Sequence, residues 1–284
     1  MPLDPSKFLG RRFEDKVFEY SEQKTSLYAL CAGMAQDPLD RRELDFVADA
    51  SPLKVLPSQA TVIAWDYGFI LESGIDETMI LHGAQAVTVH NPLPPAGRIR
   101  SSFRIRELYD KGPGAPAVIV AETSIFDCDS GLPLTTNLWT SVARGEGGFG
   151  GKRGPSATPI ERPERTPDRV IEARTWPTQP LFYRLLGDVN PLHSEPGFAA
   201  AGGFDRPILH GNSMFAVACR AVVVGACGYR PDLIRHIECR FSAPGIPGDT
   251  IATELWIEGS EVRFRCLAVE RGVELIVNGR AHLG

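Results

Sequence analysis

The chain has 284 residues, of which 43% are hydrophobic and 23% are charged, a composition typical of globular proteins that excludes the disordered and fibrous classes. Its 30 Lys and Arg residues against 35 Asp and Glu residues leave a formal net charge of -5, which argues against a nucleic-acid binder built on phosphate contacts. At roughly 150 residues per domain, the length corresponds to about two domains.

The amino-terminal sequence contains no apolar run of signal-peptide length. The longest apolar-rich run, residues 214–226, contains Arg220 and is shorter than the roughly 20 residues that cross a bilayer. The 6 cysteines include no C-x-x-C pair, and we expect reduced, mostly buried thiols. We therefore expect a cytoplasmic protein with no membrane partner and no nucleic-acid partner.

The first half of the chain is predicted to contain a short helix followed by strands. The helix is expected at residues 26–35. The period of two that is typical of a half-buried strand follows in residues 99–106, where one face carries Ile99, Ser101, Phe103 and Ile105. Residues 117–126 and 137–143 are predicted to continue the sheet.

A linker is predicted at residues 145–168, which are dense in Gly, Pro and charged residues and have little apolar periodicity. Such a segment cannot bury enough surface to fold alone, so we expect it to run over the surface between two domains. The predicted units are residues 1–144 and residues 169–284.

The second half repeats the plan of the first. A helix is predicted at residues 179–186, and alternating apolar positions predict strands at residues 251–257, 262–266 and 273–277. Residues 212–225 are the most apolar helix candidate, and their apolar side chains cover almost the whole circumference, which is typical of a buried helix. These patterns favour an α+β fold with an antiparallel sheet.

Two short matches favour an internal duplication. A Tyr-x-Leu pattern begins at Tyr28 in the first half and at Tyr183 in the second. The tripeptide Leu-His-Gly occurs at residues 81–83 and again at residues 209–211, each time before a strand-rich stretch. The shared order of helix, tripeptide and strands makes duplication the better explanation.

The densest polar cluster lies in residues 187–193, where Asp188 and His193 are five positions apart. Pro191 suits the first turn of a helix, and Asn190 before it is a good N-cap. The pattern predicts a tight turn into a short helical turn, which brings Asp188 and His193 towards one point. A carboxyl group and an imidazole serve general acid–base catalysis, since His titrates near neutral pH and burial raises the pKa of Asp.

A second feature is Gly211, between His210 and the apolar helix. The free N–H groups and the dipole at a helix start polarise a carbonyl oxygen and stabilise negative charge on it. Gly211 is therefore a candidate oxyanion-binding residue. Close packing of the helix against the sheet is the alternative reason for a glycine there.

The sequence YRLLGDVNPLH at residues 183–193, with PILHG at residues 207–211, resembles the MaoC-like dehydratases, specifically the two-domain (R)-specific 2-enoyl-CoA hydratase 2 group. Leu-His-Gly at residues 81–83, Asp-Lys-Gly at 110–112 and GGFGG at 147–151 extend the resemblance over nearly the whole chain. It implies a double hot-dog fold, each unit an antiparallel sheet wrapped around a central helix. The carboxy-terminal unit would carry catalysis, and the amino-terminal unit would bind the acyl chain without catalytic residues.

The resemblance implies a hydro-lyase of fatty-acid β-oxidation that adds water reversibly to trans-2-enoyl-CoA and gives (3R)-3-hydroxyacyl-CoA, with no metal and no other cofactor. Asp188 and His193 would orient one water. His193 would help to activate the water, and Asp188 would transfer the proton at C2. The division of proton transfer between the two residues is left open. Asn190 would hold the water or the pair in place, and the Gly211 N–H would bind the thioester oxygen.

The family's substrate-binding positions correspond to His82, Gly83, Lys111 and Phe241. Lys111 would pair with a phosphate of CoA, and Phe241 would pack against the pantetheine or the adenine. The alternatives are a solvated turn lysine and a core aromatic residue. The chain departs from the family at Ala84, where an acidic residue often follows His-Gly, and we assign no catalytic role to that region.

Three alternatives stay open. Asp188, His193 and His210 could ligate zinc in a hydrolase, although their spacings match no compact ligand motif. A non-catalytic acyl-thioester binding or scaffold protein would have the same fold but no need of an acid–base pair. The natural substrate could be a branched, steroid or dicarboxylic thioester, and the physiological direction could be dehydration. The resemblance also suggests a homodimer.

Overall fold

A computed structural model of the chain describes residues 3–48, 52–66, 68–156 and 163–284. Within these ranges, ten strands pair antiparallel in one continuous sheet. The strands of the first half are β1 (Lys16–Tyr20), β2 (Ile80–Val89), β3 (Gly97–Asp110), β4 (Ala117–Asp127) and β5 (Pro133–Ala143). Those of the second half are β6 (Arg169–Arg174), β7 (Ile234–Phe241), β8 (Thr250–Glu258), β9 (Glu261–Ala268) and β10 (Val273–Leu283).

The two halves of the sheet have the same strand order. From one edge, β1, β3, β4, β5 and β2 lead to the centre, and from the other edge β6, β8, β9, β10 and β7 do the same. Strands β2 and β7 pair at the centre, with Ala86 opposite Glu238. Each strand of the first half thus corresponds to the strand five places later, as a duplication requires. The prediction of an α+β fold with the paired sheets of a double hot-dog is confirmed.

Seven α-helices accompany the sheet in the described ranges. They are α1 (Pro5–Phe8), α2 (Glu22–Cys31), α3 (Arg41–Leu44), α4 (Gly68–Ser73), α5 (Gln179–Tyr183), α6 (Pro196–Ala201) and α7 (Gly211–Gly225). The predicted helices at residues 26–35 and 179–186 correspond to α2 and to α5 with the 3-10 turn that follows it. Helix α2 directly follows β1, and α5 directly follows β6, which are the two edge strands of the sheet.

Helix α7 is the central helix of the second half. Every residue from Asn212 to Val223 is buried, as the apolar circumference of this segment predicts. The one charged residue inside it, Arg220, places its guanidinium 2.6 Å from the carboxylate of Glu43, and both side chains are buried. The pair satisfies charges that would otherwise destabilise the interior, and it ties α7 to the first half of the chain.

The first half departs from the predicted plan in one respect, because it has no long central helix in the described ranges. Between α2 and β2, the described residues form the four-residue helix α3, the six-residue helix α4 and the 3-10 turns Pro57–Thr61 and Glu77–Met79. Gly68 begins α4, and Gly74 follows its end with a φ of +70°, so the local sequence limits this helix to under two turns. The space on this side of the sheet is therefore filled by short segments.

The two Leu-His-Gly tripeptides are not structural equivalents. Residues 81–83 lie inside β2, whose counterpart is β7, whereas residues 209–211 lead into α7. The Tyr-x-Leu match is structural, because Tyr28 and Tyr183 lie on the corresponding helices α2 and α5, with ring centroids 6.2 Å apart. The duplication is therefore real, but one of the two matches that suggested it was coincidental.

The described parts of the predicted linker, residues 145–156 and 163–168, contain no helix and no strand, and residues 157–162 lie outside the described residues. The carboxylate of Asp110 accepts hydrogen bonds from the N–H groups of Gly112, Gly148 and Gly150 at 2.6–2.8 Å, which fixes the glycine-rich start of the segment. A Cβ atom on Gly147 would lie 2.5 Å from the Gly112 oxygen, so only glycine fits there. The boundaries of the two units stay a prediction.

Five of the six cysteines are buried and Cys128 is half-buried, and all six are free thiols. Across the residues that the structure covers, no helix has the length and apolar character needed to cross a membrane.

Candidate active site

Asp188 and Asn190 lie in a turn that follows α5. The 3-10 turn Arg184–Leu186 ends at Gly187, whose φ of +131° favours glycine and reverses the chain. Asn190 then caps the 3-10 turn Pro191–His193, and its Oδ1 accepts a hydrogen bond from the Leu192 N–H at 2.9 Å. The predicted tight turn into a short helical turn is confirmed.

The segment before α7 meets this turn through two histidine hydrogen bonds. Nδ1 of His193 lies 2.9 Å from the carbonyl oxygen of Ile208, and Nε2 of His210 lies 3.2 Å from the carbonyl oxygen of Asp188. A carbonyl oxygen only accepts, so these two nitrogens carry the protons in the neutral rings. His193 therefore keeps the lone pair of Nε2 for a further partner.

The buried side chains of Asp188, His193 and His210 converge. One carboxylate oxygen and one nitrogen of each ring all lie within 4.8 Å of one another. The rings of His193 and His210 stack, with centroids 3.7 Å apart and an interplanar angle of 28°. The predicted convergence of Asp188 and His193 is present, and His210, which the sequence suggested only as a candidate zinc ligand, lies beside them.

Burial controls the protonation of this cluster. It raises the pKa of Asp188 to about 7, although the Asn190 N–H that bonds its carboxylate acts in the opposite direction. It lowers the pKa of His193 to about 4, and it lowers the pKa of His210 well below the ordinary value, with help from the neighbouring His193. Near neutral pH both rings are uncharged, and Asp188 is able to gain or lose a proton.

A cavity of about 270 Å³ joins the cluster to the centre of the sheet. Seven of the eight predicted site residues line it: Asp188, Asn190, His193, Gly211, His82, Gly83 and Phe241. The two halves of the molecule both contribute, because His82 and Gly83 belong to β2 and Phe241 ends β7. The rings of His82 and Phe241 lie 4.7 Å apart in this wall.

Gly211 faces His82 so closely that no side chain fits. A Cβ atom on Gly211 would lie 2.8 Å from Nδ1 of His82. His82 is neutral, because burial lowers its pKa to about 3, and its Nε2 lies 3.0 Å from the Ala84 oxygen. Gly211 is also the first residue of α7, where the N–H groups have no partner within the helix. Both explanations for this glycine, packing and an exposed N–H, fit the structure.

Lys111 is the one predicted site residue that does not line the cavity. Its Nζ donates hydrogen bonds to the carbonyl oxygens of Arg153 and Pro155, at 2.7 and 3.2 Å. Its contact with a phosphate of CoA stays a prediction. Ala84 lies on a different surface, in a larger groove of about 650 Å³ whose charged residues include Glu238, Arg240, Arg263 and Arg280. That groove contains none of the predicted site residues.

The sequence did not identify several residues of the cavity wall. Trp65, Trp139, Asn212 and Met214 all line it. Trp139 lies at an inward position of β5, and this alternation was the only signal available for it. Asn212 was included in the apolar helix, and nothing in its neighbours indicated a cavity.

Asp188, His193 and His210 are the group able to hold a metal ion among the described residues. Each ring offers one nitrogen that is not bonded to a carbonyl oxygen. Burial keeps both imidazoles neutral, the form that binds a metal. A metal bound by all three side chains would, however, use Asp188 and His193 as ligands, and these two are the predicted acid–base pair.

Two family models match the chain. The MFE-2 hydratase 2 N-terminal domain matches residues 18–145, and the MaoC like domain matches residues 158–279. The chain is 38% identical over 285 aligned residues to "Enoyl-CoA hydratase ChsH3" of Mycobacterium tuberculosis, covering 98% of each chain. It is 34% identical to "Enoyl-CoA hydratase 2, peroxisomal" of Arabidopsis thaliana, covering 93% of this chain and 90% of the relative.

A solved structure agrees with these matches. The crystal structure of a MaoC-like dehydratase from Phytophthora capsici superposes with a TM-score of 0.85 at 28% identity, covering 99% of this chain and 98% of the other. The sequence and structure comparisons thus extend over both halves of the sheet.

Proposed function

Since the chain belongs to the MaoC-like dehydratase family and is a hydro-lyase, we propose that it adds water reversibly to a trans-2-enoyl-CoA and gives the (3R)-3-hydroxyacyl-CoA. The observation that carries the proposal is the meeting of Asp188, neutral His193 and the Gly211 end of α7 in one cavity. These are the three elements that hydration of an enoyl thioester needs: a proton donor, a proton acceptor and an oxyanion site.

In the direction of hydration, Nε2 of His193 takes a proton from the water as the water oxygen bonds to C3. Asp188 gives its proton to C2, where the electron pair of the double bond is released. The site then contains a carboxylate and an imidazolium, so its net charge is the same as before the reaction. Proton transfer from His193 back to Asp188 restores the starting state, and dehydration is the same sequence in reverse.

In this proposal the Gly211 N–H binds the thioester oxygen. Negative charge develops on that oxygen as the water attacks, and the start of the 15-residue helix α7 offers an N–H group and the positive end of its dipole. Asn190 holds the Asp188–His193 pair in place by capping the turn that separates them. No metal and no further cofactor takes part.

The first half of the chain binds the acyl group. Its contribution to the cavity comes from β2, from Trp139 and Val142 of β5 and from Trp65, and short segments take the place of a long central helix in the described ranges. Phe241 packs against the pantetheine, and Lys111 binds a phosphate of CoA. A homodimer and a cytoplasmic location complete the proposal, and sedimentation of the purified protein tests the homodimer.

Loss of absorbance at the enoyl-thioester band, with crotonyl-CoA and then with trans-2-decenoyl-CoA, tests this function. Turnover of either substrate is expected. Tight binding without turnover would support the scaffold protein instead, and branched, steroid and dicarboxylic enoyl-CoAs would then decide whether the acyl group was wrongly chosen.

The cluster of Asp188, His193 and His210 favours one second candidate, a zinc-dependent hydrolase. Metal analysis of the purified protein distinguishes the two. We expect substoichiometric zinc and full activity in a chelator, whereas stoichiometric zinc whose removal abolishes activity would favour the hydrolase.

A further inference from the structure

Trp65 lies in the wall of the catalytic cavity, the 270 Å³ cavity that contains Asp188 and His193. It follows the 3-10 turn Pro57–Thr61 and is half-buried. A second cavity, of about 120 Å³, has Trp65 in its wall as well. Among the described residues, Trp65 is the only one that lines both cavities. The two cavities therefore meet at this residue.

The second cavity is a cleft that reaches the surface, and we call it the outer cleft. Its large apolar side chains are Phe18, Val62, Ile63 and Leu186. Glu19 and Lys24 also line it and are exposed, which places one end of the cleft in contact with water. Trp65 thus stands between a cleft open to solvent and the buried catalytic residues.

The contacts of Trp65 place its side chain across the boundary. Its N–H donates a hydrogen bond to the Val62 oxygen at 3.2 Å. A Cβ atom on Gly187 would lie 3.6 Å from the Cβ of Trp65, and both Val62 and Gly187 line the outer cleft. The indole ring packs against the ring of Trp139, which lines the catalytic cavity and not the cleft, with centroids 6.1 Å apart. The side chain therefore begins at the cleft and ends at the catalytic cavity.

A row of rings connects Trp65 to the proposed oxyanion site. The centroids of Trp139 and His82 lie 6.2 Å apart, and His82 faces Gly211. Trp65 lies at the opposite end of this row, two ring contacts away from His82. The first half adds further apolar side chains to the wall of the cavity, Ile80, Leu81 and Val142. An acyl chain that starts at Gly211 and follows this apolar wall meets Trp65 at its end.

We propose that Trp65 closes the acyl end of the catalytic cavity and so limits the length of the acyl chain, the outer cleft being the space that its indole ring denies to longer chains. The inference rests on the proposed hydratase activity and specifies its substrate class: enoyl-CoAs whose acyl chain ends before Trp65. A longer chain has to displace a large ring that packs against Gly187 and Trp139, so its added methylene groups stay outside and give no binding energy.

Chain-length profiles of the parent protein and of Trp65→Ala test the inference. Values of kcat/KM are measured for unbranched trans-2-enoyl-CoAs of increasing length, and each value is divided by that for crotonyl-CoA, so that a general loss of activity cancels. For chains longer than the parent's optimum, this ratio is expected to be about 10- to 100-fold higher in Trp65→Ala, at about fourfold for each methylene that enters the cleft. Equal ratios in the two proteins at every length overturn the inference.

A blocking substitution tests whether the added length enters the outer cleft. Ile63 lines the cleft but not the catalytic cavity, so Ile63→Trp fills the cleft away from the reacting atoms. In the double variant that combines Trp65→Ala with Ile63→Trp, the gain for long chains is expected to disappear. A gain that survives the block contradicts the position of Trp65 between the two cavities.

Phe204→Ala is the matched control, because it removes an aromatic ring from the same cavity at another place. Phe204 lines the catalytic cavity from the second half, where it packs against the cluster of Leu192, Ala199 and Ile208, and it does not line the outer cleft. The control is expected to keep the parent's length profile. A gain for long chains equal to that of Trp65→Ala would show that cavity volume alone sets the profile, and would overturn the inference.

Trp65→Leu keeps the test decisive if Trp65→Ala does not fold, because leucine retains an apolar side chain and still removes the ring. Circular dichroism identifies the folded variants. The measurement also separates the two proposals. Turnover by the parent protein, with a length profile that both substitutions leave unchanged, keeps the hydratase and removes only the limit at Trp65. No turnover of any substrate by the parent protein removes both proposals.

Discussion

The imidazole rings of His193 and His210 stack with their centroids 3.7 Å apart, and each ring donates one N–H to a backbone carbonyl oxygen. Two protonated rings would repel each other strongly at this distance, so the stack supports the neutral state that burial imposes. His193 is held in one tautomer by Ile208 and is backed by His210 on one face. Its Nε2 is therefore a positioned proton acceptor next to Asp188.

Asp188→Asn is expected to lower kcat by about 100- to 10,000-fold, because the amide has nearly the same shape but cannot transfer the proton. Initial rates with crotonyl-CoA measure the effect. An unchanged circular dichroism spectrum serves as the folding control. Activity within about tenfold of the parent protein would remove Asp188 from the proton transfer.

The pH dependence of hydration follows from the two shifted groups. The reaction needs Asp188 protonated and His193 neutral, and burial raises the pKa of Asp188 to about 7 and lowers the pKa of His193 to about 4. We expect kcat/KM to be highest between these values and to fall about tenfold per pH unit above and below them. A rate that increases steadily as pH rises through about 7 would mean that Asp188 acts only as the carboxylate.

Asp188 is also expected to reduce stability as pH rises. Its carboxyl group has a pKa of about 7 in the folded protein against an ordinary 3.8, so the folded state binds a proton that the unfolded chain releases. The free energy of unfolding therefore falls between these two values and levels off above about pH 7.

Asp188→Asn removes this loss and should stabilise the protein above pH 7, by up to about 4 kcal/mol from the size of the shift. Thermal melting of both proteins across this range measures the difference, in which all other titrating groups cancel. The gain should vanish at acid pH. A difference that does not change with pH would show that the carboxyl group is not protonated in the folded state.

The oxyanion role of Gly211 is testable once its steric role is removed. Since a Cβ on Gly211 would meet His82, both substitutions are made in a His82→Ala background. There, Gly211→Ala keeps the N–H and Gly211→Pro removes it, and proline is tolerated in the first turn of a helix. The proline variant is expected to have a kcat about 100- to 1,000-fold below that of the alanine variant. Equal values would assign Gly211 to packing alone.

Local pattern predicts much of this molecule. The apolar circumference of residues 212–225 identified α7, the period of two located the inward face of β3, and the Asn-Pro sequence identified the cap at Asn190. These features depend on neighbours along the chain. Seven of the eight predicted site residues line one cavity because the resemblance supplied their pairing across the two halves.

Features that depend on contacts between distant segments, and that the resemblance did not supply, were not predictable. The stack of His193 and His210 needs two turns to meet, and neither sequence context indicates it. The tripeptide at residues 81–83 matched that at residues 209–211 in letters only, because one lies in a strand and the other enters a helix. The cavity wall is similar: Trp65 and Asn212 are ordinary residues until the fold brings them to the 270 Å³ cavity.

The configuration of the hydration product tests the central claim most directly. Purified protein converts crotonyl-CoA in two parallel reactions, one coupled to a dehydrogenase specific for (3R)-hydroxyacyl-CoA and the other to one specific for the (3S) form. We predict reduction of the nicotinamide cofactor in the (3R)-coupled reaction only, at a rate that is about 100- to 10,000-fold lower with Asp188→Asn in place of the parent protein. A product oxidised only by the (3S)-specific enzyme, or a rate that Asp188→Asn leaves unchanged, would contradict the arrangement of Asp188, His193 and Gly211 proposed for catalysis.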